Sequence, residues 1–194
     1  MRLHPSIVCL FALLCGPAFA YAQGKATKDI SAVYAEGKIN ETEYKNDYFG
    51  LTLTAEPGRF TNGAFISSEG KRARLVDVQG NPSNFEDKYE IAVLADSLAA
   101  NSLIHSPEQY VRSVRHQLEK EGMGTEKTES SHKVSGVPFV QAILRVSDGG
   151  RIHYRAIYTT FLNGYIFSLD VSALTPEKIA QVVTKTVKLN AGSW

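Results

Sequence analysis

The sequence is poor in cysteine: only Cys9 and Cys15 occur, both near its start. The remainder has no thiol for a disulfide, a zinc site or a cysteine nucleophile. A chain without covalent staples has to be held by a hydrophobic core. Charge of one sign is also missing, with 21 lysines and arginines against 20 aspartates and glutamates. Setting Arg2 aside with the leader described below leaves 20 against 20. That balance argues against nucleic acid, whose footprint is a basic excess, and against a polybasic attachment to membrane surfaces.

Long apolar runs are absent too. The apolar stretch near the start, Ile7 to Leu14, is interrupted by Gly16-Pro17, well short of the roughly 20 residues that a bilayer-crossing helix needs. Catalytic patterns are equally scarce. His105, His116, His132 and His153 stand singly, without the paired spacing of a zinc site. No glycine-flanked serine marks a nucleophile elbow, and Gly63 and Gly70 lack phosphate-loop spacing before Lys71. Glu86 and Asp87 sit in a polar loop, where solvation accounts for them. These absences predict a non-catalytic protein with no cofactor and no metal. The alternative is a small periplasmic hydrolase or ligand-binding enzyme whose site the pattern does not reveal.

What is present begins with a leader. Arg2, the apolar core and the small residues around Ala18-Phe19-Ala20 or Ala20-Tyr21-Ala22 have the form of a secretory signal over residues 1–22. The expectation is an exported, periplasmic or secreted protein, soluble after cleavage and not inserted in the membrane. Cys15-Gly16 offers a lipoprotein alternative, against which stands the bulky Leu14 before the cysteine. Residues 23–43 read as a polar leader, in which Ile30, Val33 and Tyr34 at helical spacing leave a short helix open. Asn40-Glu41-Thr42 is a glycosylation sequon, a pattern frequent by chance. Residues 44–190 then form one α+β domain.

In "YKNDYFGLTL", Phe49, Leu51 and Leu53 alternate with Tyr48, Gly50 and Thr52, which predicts one strand with these three in the core. Arg74–Val78 and Tyr89–Ala95 are further strands around the loop "QGNPSNFED", and "GKRAR" reads as a solvated turn. Ser106-Pro107 with Gln109 opens a helix carrying the stripe Tyr110, Val111, Val114 and Leu118, ended by Gly122. Thr175-Pro176 opens another, with Ile179, Val182, Val183 and Val187 as its stripe and Lys185 and Lys188 in its last turns.

Between the helices, Asn163-Gly164 predicts a two-residue type I′ hairpin. This pairs Leu162 with Tyr165, Thr160 with Phe167, Tyr158 with Leu169, Ala156 with Val171 and Tyr154 with Ala173. The loop at Asp148-Gly149-Gly150 holds either two or three residues, and the choice flips the preceding strand. Three is favoured, because it puts Val140, Ala142, Leu144 and Val146 on the apolar face of Tyr154 and Tyr158. Arg145, His153, Arg155 and Asp170 then gather on the opposite face, with Arg145 across from His153 and Arg155 diagonal to Asp170. The ordinary account is a solvated or covered sheet face. The sharper one is a site for an anion or an acidic patch on a protein partner, since guanidinium groups bind carboxylate and phosphate bidentately.

"YKNDYFGLTL" followed by Pro57-Gly58, a helix and a strand opened at Gly136, and "NGYIFSL" before the last helix together resemble the PsbP-like family. The resemblance implies an antiparallel sheet with flanking helices, the α/β/α sandwich shared with a nuclear Ran-binding import factor. It also implies a binding or accessory role toward a protein partner whose identity the sequence leaves unknown.

Overall fold

The computed structural model describes residues 28–63, 71–80, 84 and 87–190. The leader at 1–22 lies outside the described residues. Every strand pairing among them is antiparallel, so the α+β class expected from the sequence holds. A seven-stranded sheet has the order β4 (Phe60–Asn62), β5 (Arg72–Gln79), β6 (Tyr89–Ser97), β10 (Tyr165–Ala173), β9 (Arg151–Leu162), β8 (Val137–Asp148), β7 (Gly124–Val134). A smaller sheet has the order β1 (Gly37–Ile39), β2 (Glu43–Asn46), β3 (Leu51–Thr54), β11 (Val187–Leu189).

Helices α1 (Ile30–Ala35) and α3 (Pro176–Thr186), with the small sheet, cover one face of the large sheet. Ile30, Val33, Leu51, Leu53, Ile179 and Val183 meet Tyr158, Phe167 and Leu169 in the main core there. Helix α2 (Pro107–Lys120) covers part of the other face. Its Tyr110 packs with Phe161 and Ile166, Val111 with Val140 and Ala142, and Leu118 with Leu144 and Ile157.

The helix starts follow their local chemistry. Ser106 Oγ accepts from the Gln109 N–H at 3.2 Å and Thr175 Oγ1 from the Lys178 N–H at 3.2 Å, each followed by proline at the first helical position. Asp29 caps α1, whose Ile30 and Val33 are buried. Helix α3 stops at Thr186, so Val187 turns into β11 and Lys188 is an exposed strand residue rather than a last-turn cation. Pairing of β11 with β3 outcompetes one more helical turn.

The stretch from Tyr44 to Leu53 is two strands and not one. Asn46 Oδ1 accepts from the Phe49 N–H at 3.3 Å, a 3-10 turn spans Asp47–Phe49, and Gly50 adopts φ 58°, reversing the chain into a hairpin. Phe49, Leu51 and Leu53 are core as expected. Their alternation arose from a turn followed by a strand, a pattern that period alone cannot tell from a continuous strand. Of "GKRAR", Arg72 to Arg74 belong to β5 instead of a turn, each guanidinium finding a carboxylate beside it.

The Asn163-Gly164 turn has φ of 49° and 81°, and all five predicted pairs across it are present. The Gly149-Gly150 turn has φ of 54° and 80°, and Asp148 pairs with Arg151, so this loop holds two residues rather than three. Arg145 therefore pairs with Tyr154, and Val146 takes the place opposite His153. Counting apolar residues misled because both faces of β8 are covered. Val140, Ala142 and Leu144 are buried under α2 instead. Gln141, placed among the core residues, is satisfied by donating Nε2–H to the Tyr158 hydroxyl at 2.6 Å.

Candidate functional site

Helix α2 ends at Lys120, and Gly122 at φ 95° turns the chain away, so the described residues leave the half of the sheet face beyond it uncovered. Under α2 this face is mainly apolar, with buried Thr159, Ser168 and Asp96 each satisfied by a side-chain partner; past its end the same strands carry exposed and half-buried polar residues. In register, Asp77, Ala92, Asp170 and Ile157 form one row, and Gln79, Glu90, Ser172 and Arg155 the next. His153 lies two residues before Arg155 on the same face. Apart from Ile157, which packs under α2, these residues and Arg74 line a groove of about 350 Å³, within the size range of ligand sites.

Of the four residues predicted to share this face, the structure brings together His153, Arg155 and Asp170. Arg145 is excluded by the two-residue turn and is exposed on the opposite face, beside Tyr154. The diagonal pair forms as expected: Arg155 donates Nε–H to Asp170 Oδ1 at 2.8 Å and Nη2–H to Oδ2 at 2.5 Å. These bonds raise the Arg155 guanidinium above its ordinary value, against the opposing effect of burial. Arg74, unforeseen as a groove residue, holds Asp77 through Nε–H at 2.7 Å. Its signal in the sequence was the spacing of Arg74 and Asp77, which matters only because a bulge at Leu75 puts both on one face.

The chemistry available is that of paired charges. Both guanidinium groups reach the groove already holding a carboxylate, whereas Glu90 and His153 make no such pair among the described residues. A proton-transfer or nucleophilic constellation would need a base aligned on a hydroxyl or thiol, and the groove presents no such alignment among the described residues. The remaining histidines lie on separate elements: His105 before α2, His116 on α2 and His132 on β7. Among the described residues, no three His, Cys, Asp or Glu side chains are grouped to hold a metal. Glu86 lies outside the described residues, and Asp87 pairs with Lys178 Nζ at 2.6 Å.

A second polar group sits between α2 and the sheet. Asp96 is buried at 6 % exposure; its Oδ2 accepts from the Tyr110 hydroxyl at 2.6 Å and its Oδ1 lies 3.0 Å from Arg72 Nε. Burial raises the Asp96 carboxyl above the usual carboxylate value, with Tyr110 and Arg72 opposing the rise. Sequence spacing did not point to it, because its members come from β5, β6 and α2.

Among the described residues, no helix is long and apolar enough to cross a membrane. Compared with family models and with curated proteins, the sequence matches none. Solved structures show distant likeness. One from Bacteroides thetaiotaomicron VPI-5482 aligns with a TM-score of 0.42 and 11% identity, over 80% of this chain and 51% of that one. The chain thus spans about half the length of that structure. LpqN of Mycobacterium tuberculosis, described as involved in cell envelope biogenesis, aligns with a TM-score of 0.45 and 15% identity, over 72% of this chain and 83% of that one. Likeness of this degree leaves the chemistry of the site to its own residues.

Proposed function

We propose that this chain is an exported, non-catalytic binding or accessory module of PsbP-like α/β/α architecture, which holds a protein partner through the uncovered half of its large sheet. The observation that carries the reading is the pre-pairing of Arg74 with Asp77 and of Arg155 with Asp170. A single small anion would have to displace a carboxylate from either guanidinium. A protein surface bearing both signs of charge fits the groove without breaking those pairs, and electrostatic complementarity of that kind sets specificity and encounter rate.

A photo-crosslinking residue placed at His153 or Ser172 tests this in the native envelope fraction, with the same residue at exposed Lys45 on the small sheet as control. A discrete protein adduct from the groove positions and none from Lys45 is expected. Adducts equal at all three positions, or none, would overturn the assignment of the groove.

A further inference from the structure

A second groove lies on the other side of the molecule, between α3 and the turn that follows β3, with a volume of about 410 Å³. Lys178, Gln181 and Lys185 line it from α3, at a spacing that places them on one helix face. Arg59 and Glu56 line it from the turn, and Gly80, Asp87 and Tyr89 from the strand ends. A Cβ at Gly80 would stand 2.3 Å from the Tyr89 ring, so glycine is what lets that ring lie against the backbone as a wall.

The charges here are committed differently from those of the first groove. Lys178 holds Asp87, and Lys185 is exposed with no partner among the described residues. Arg59 is three-quarters buried, at 23 % side-chain exposure. Among the described residues its buried Nε–H has no acceptor within reach, and its one ion pair is a 3.3 Å contact from Nη2 to Glu56, itself 71 % exposed. A guanidinium N–H left without an acceptor is uncommon in folded proteins and costs more than a neutral one. Arg59 therefore lines the groove with Nη2 held only by an exposed carboxylate and a buried, unpartnered Nε beside it, and the described residues of the groove carry three cations against two carboxylates.

We propose that this groove binds a small organic oxyanion, a carboxylate or phosphate group on an apolar body. Release of Glu56 into solvent opens the Nε/Nη2 edge of Arg59, which the oxyanion then takes side-on. Lys185 adds a second positive charge, and the apolar body lies against Tyr89 and Ala55. Such an edge matches two oxygens of a carboxylate or phosphate, which one ammonium group does not. The site is separate from the groove proposed to hold a protein partner and stands or falls independently of it.

Benzoate, phenyl phosphate and inorganic phosphate, titrated at low ionic strength into the chain lacking residues 1–22, distinguish carboxylate from phosphate and test the apolar body. The reporter is the Arg59 Nε–H resonance together with calorimetry. Saturable binding of benzoate or phenyl phosphate, tighter than inorganic phosphate and with a shifted Arg59 signal, is expected. Arg59→Gln should weaken it by about tenfold or more, the loss of one charged hydrogen-bonded contact. Lys185→Gln, a surface change that leaves the fold intact, should weaken it by a smaller factor, and Arg145→Gln should leave it unchanged. Failure of all three probes to saturate, or equal affinity in wild type and both groove variants, would overturn the proposal.

Discussion

Asp96 offers the sharpest measure of how α2 is fastened to the sheet. Asp96→Ala leaves the Tyr110 hydroxyl, on a residue only 9 % exposed, without the acceptor it holds at 2.6 Å. A hydrogen bond to a charged group contributes about 1.5–3 kcal/mol. The Arg72 side chain is 44 % exposed and regains water, so its share is only about 0–1 kcal/mol. The substitution should therefore cost about 1.5–4 kcal/mol in urea unfolding. In a double-mutant cycle with Tyr110→Phe, the coupling should be about 1.5–3 kcal/mol; a value below about 0.5 kcal/mol, the scatter of independent sites, would refute the bond's role.

The same carboxylate has a pH signature. Its folded value is raised by burial, so the folded chain keeps a proton that the unfolded chain releases. Its contribution is fully present below the unfolded carboxylate value of about 3.9 and is lost as pH rises through the folded value. Asp96→Asn should therefore gain stability relative to wild type between about pH 4 and neutrality. A difference that is flat or runs the other way would mean the partners outweigh burial.

Four further outcomes are expected. Gly164→Val forces a β-branched residue to φ 81° at a buried turn, which should cost at least ~1–2 kcal/mol; an unchanged unfolding midpoint would count against the type I′ turn. Gly80→Ala should destabilise through its clash with the Tyr89 ring, checked by thermal unfolding. Arg145→Ala should leave both stability and partner capture unchanged, because the side chain is exposed and on the face away from the groove; loss of capture would move the partner to that face. Intact-mass measurement of exported material should find a chain beginning near Tyr21 or Gln23, and a lipid-modified species beginning at Cys15 would sink that processing.

Local chemistry was legible in the sequence wherever it is self-contained. Ser106-Pro107 and Thr175-Pro176 start helices because their side chains satisfy backbone donors a turn away. Asn163-Gly164 sets a hairpin register because only such residues accept positive φ at both positions. From that register the Arg155–Asp170 diagonal followed, and the structure contains it. Tertiary packing decided what local chemistry left degenerate. Two glycines satisfy a two-residue turn as readily as part of a longer one, and with α2 on one face and α3 on the other, either orientation of β8 buries an apolar set. Hence Arg145 changed sides. Whether a polar strand residue faces a groove or a helix depended on where α2 ends above it, and the partners of Asp96 and the groove walls opposite Arg59 come from segments remote in sequence. Those relations are set by how the layers stack, a property of the whole chain that no short window of residues contains.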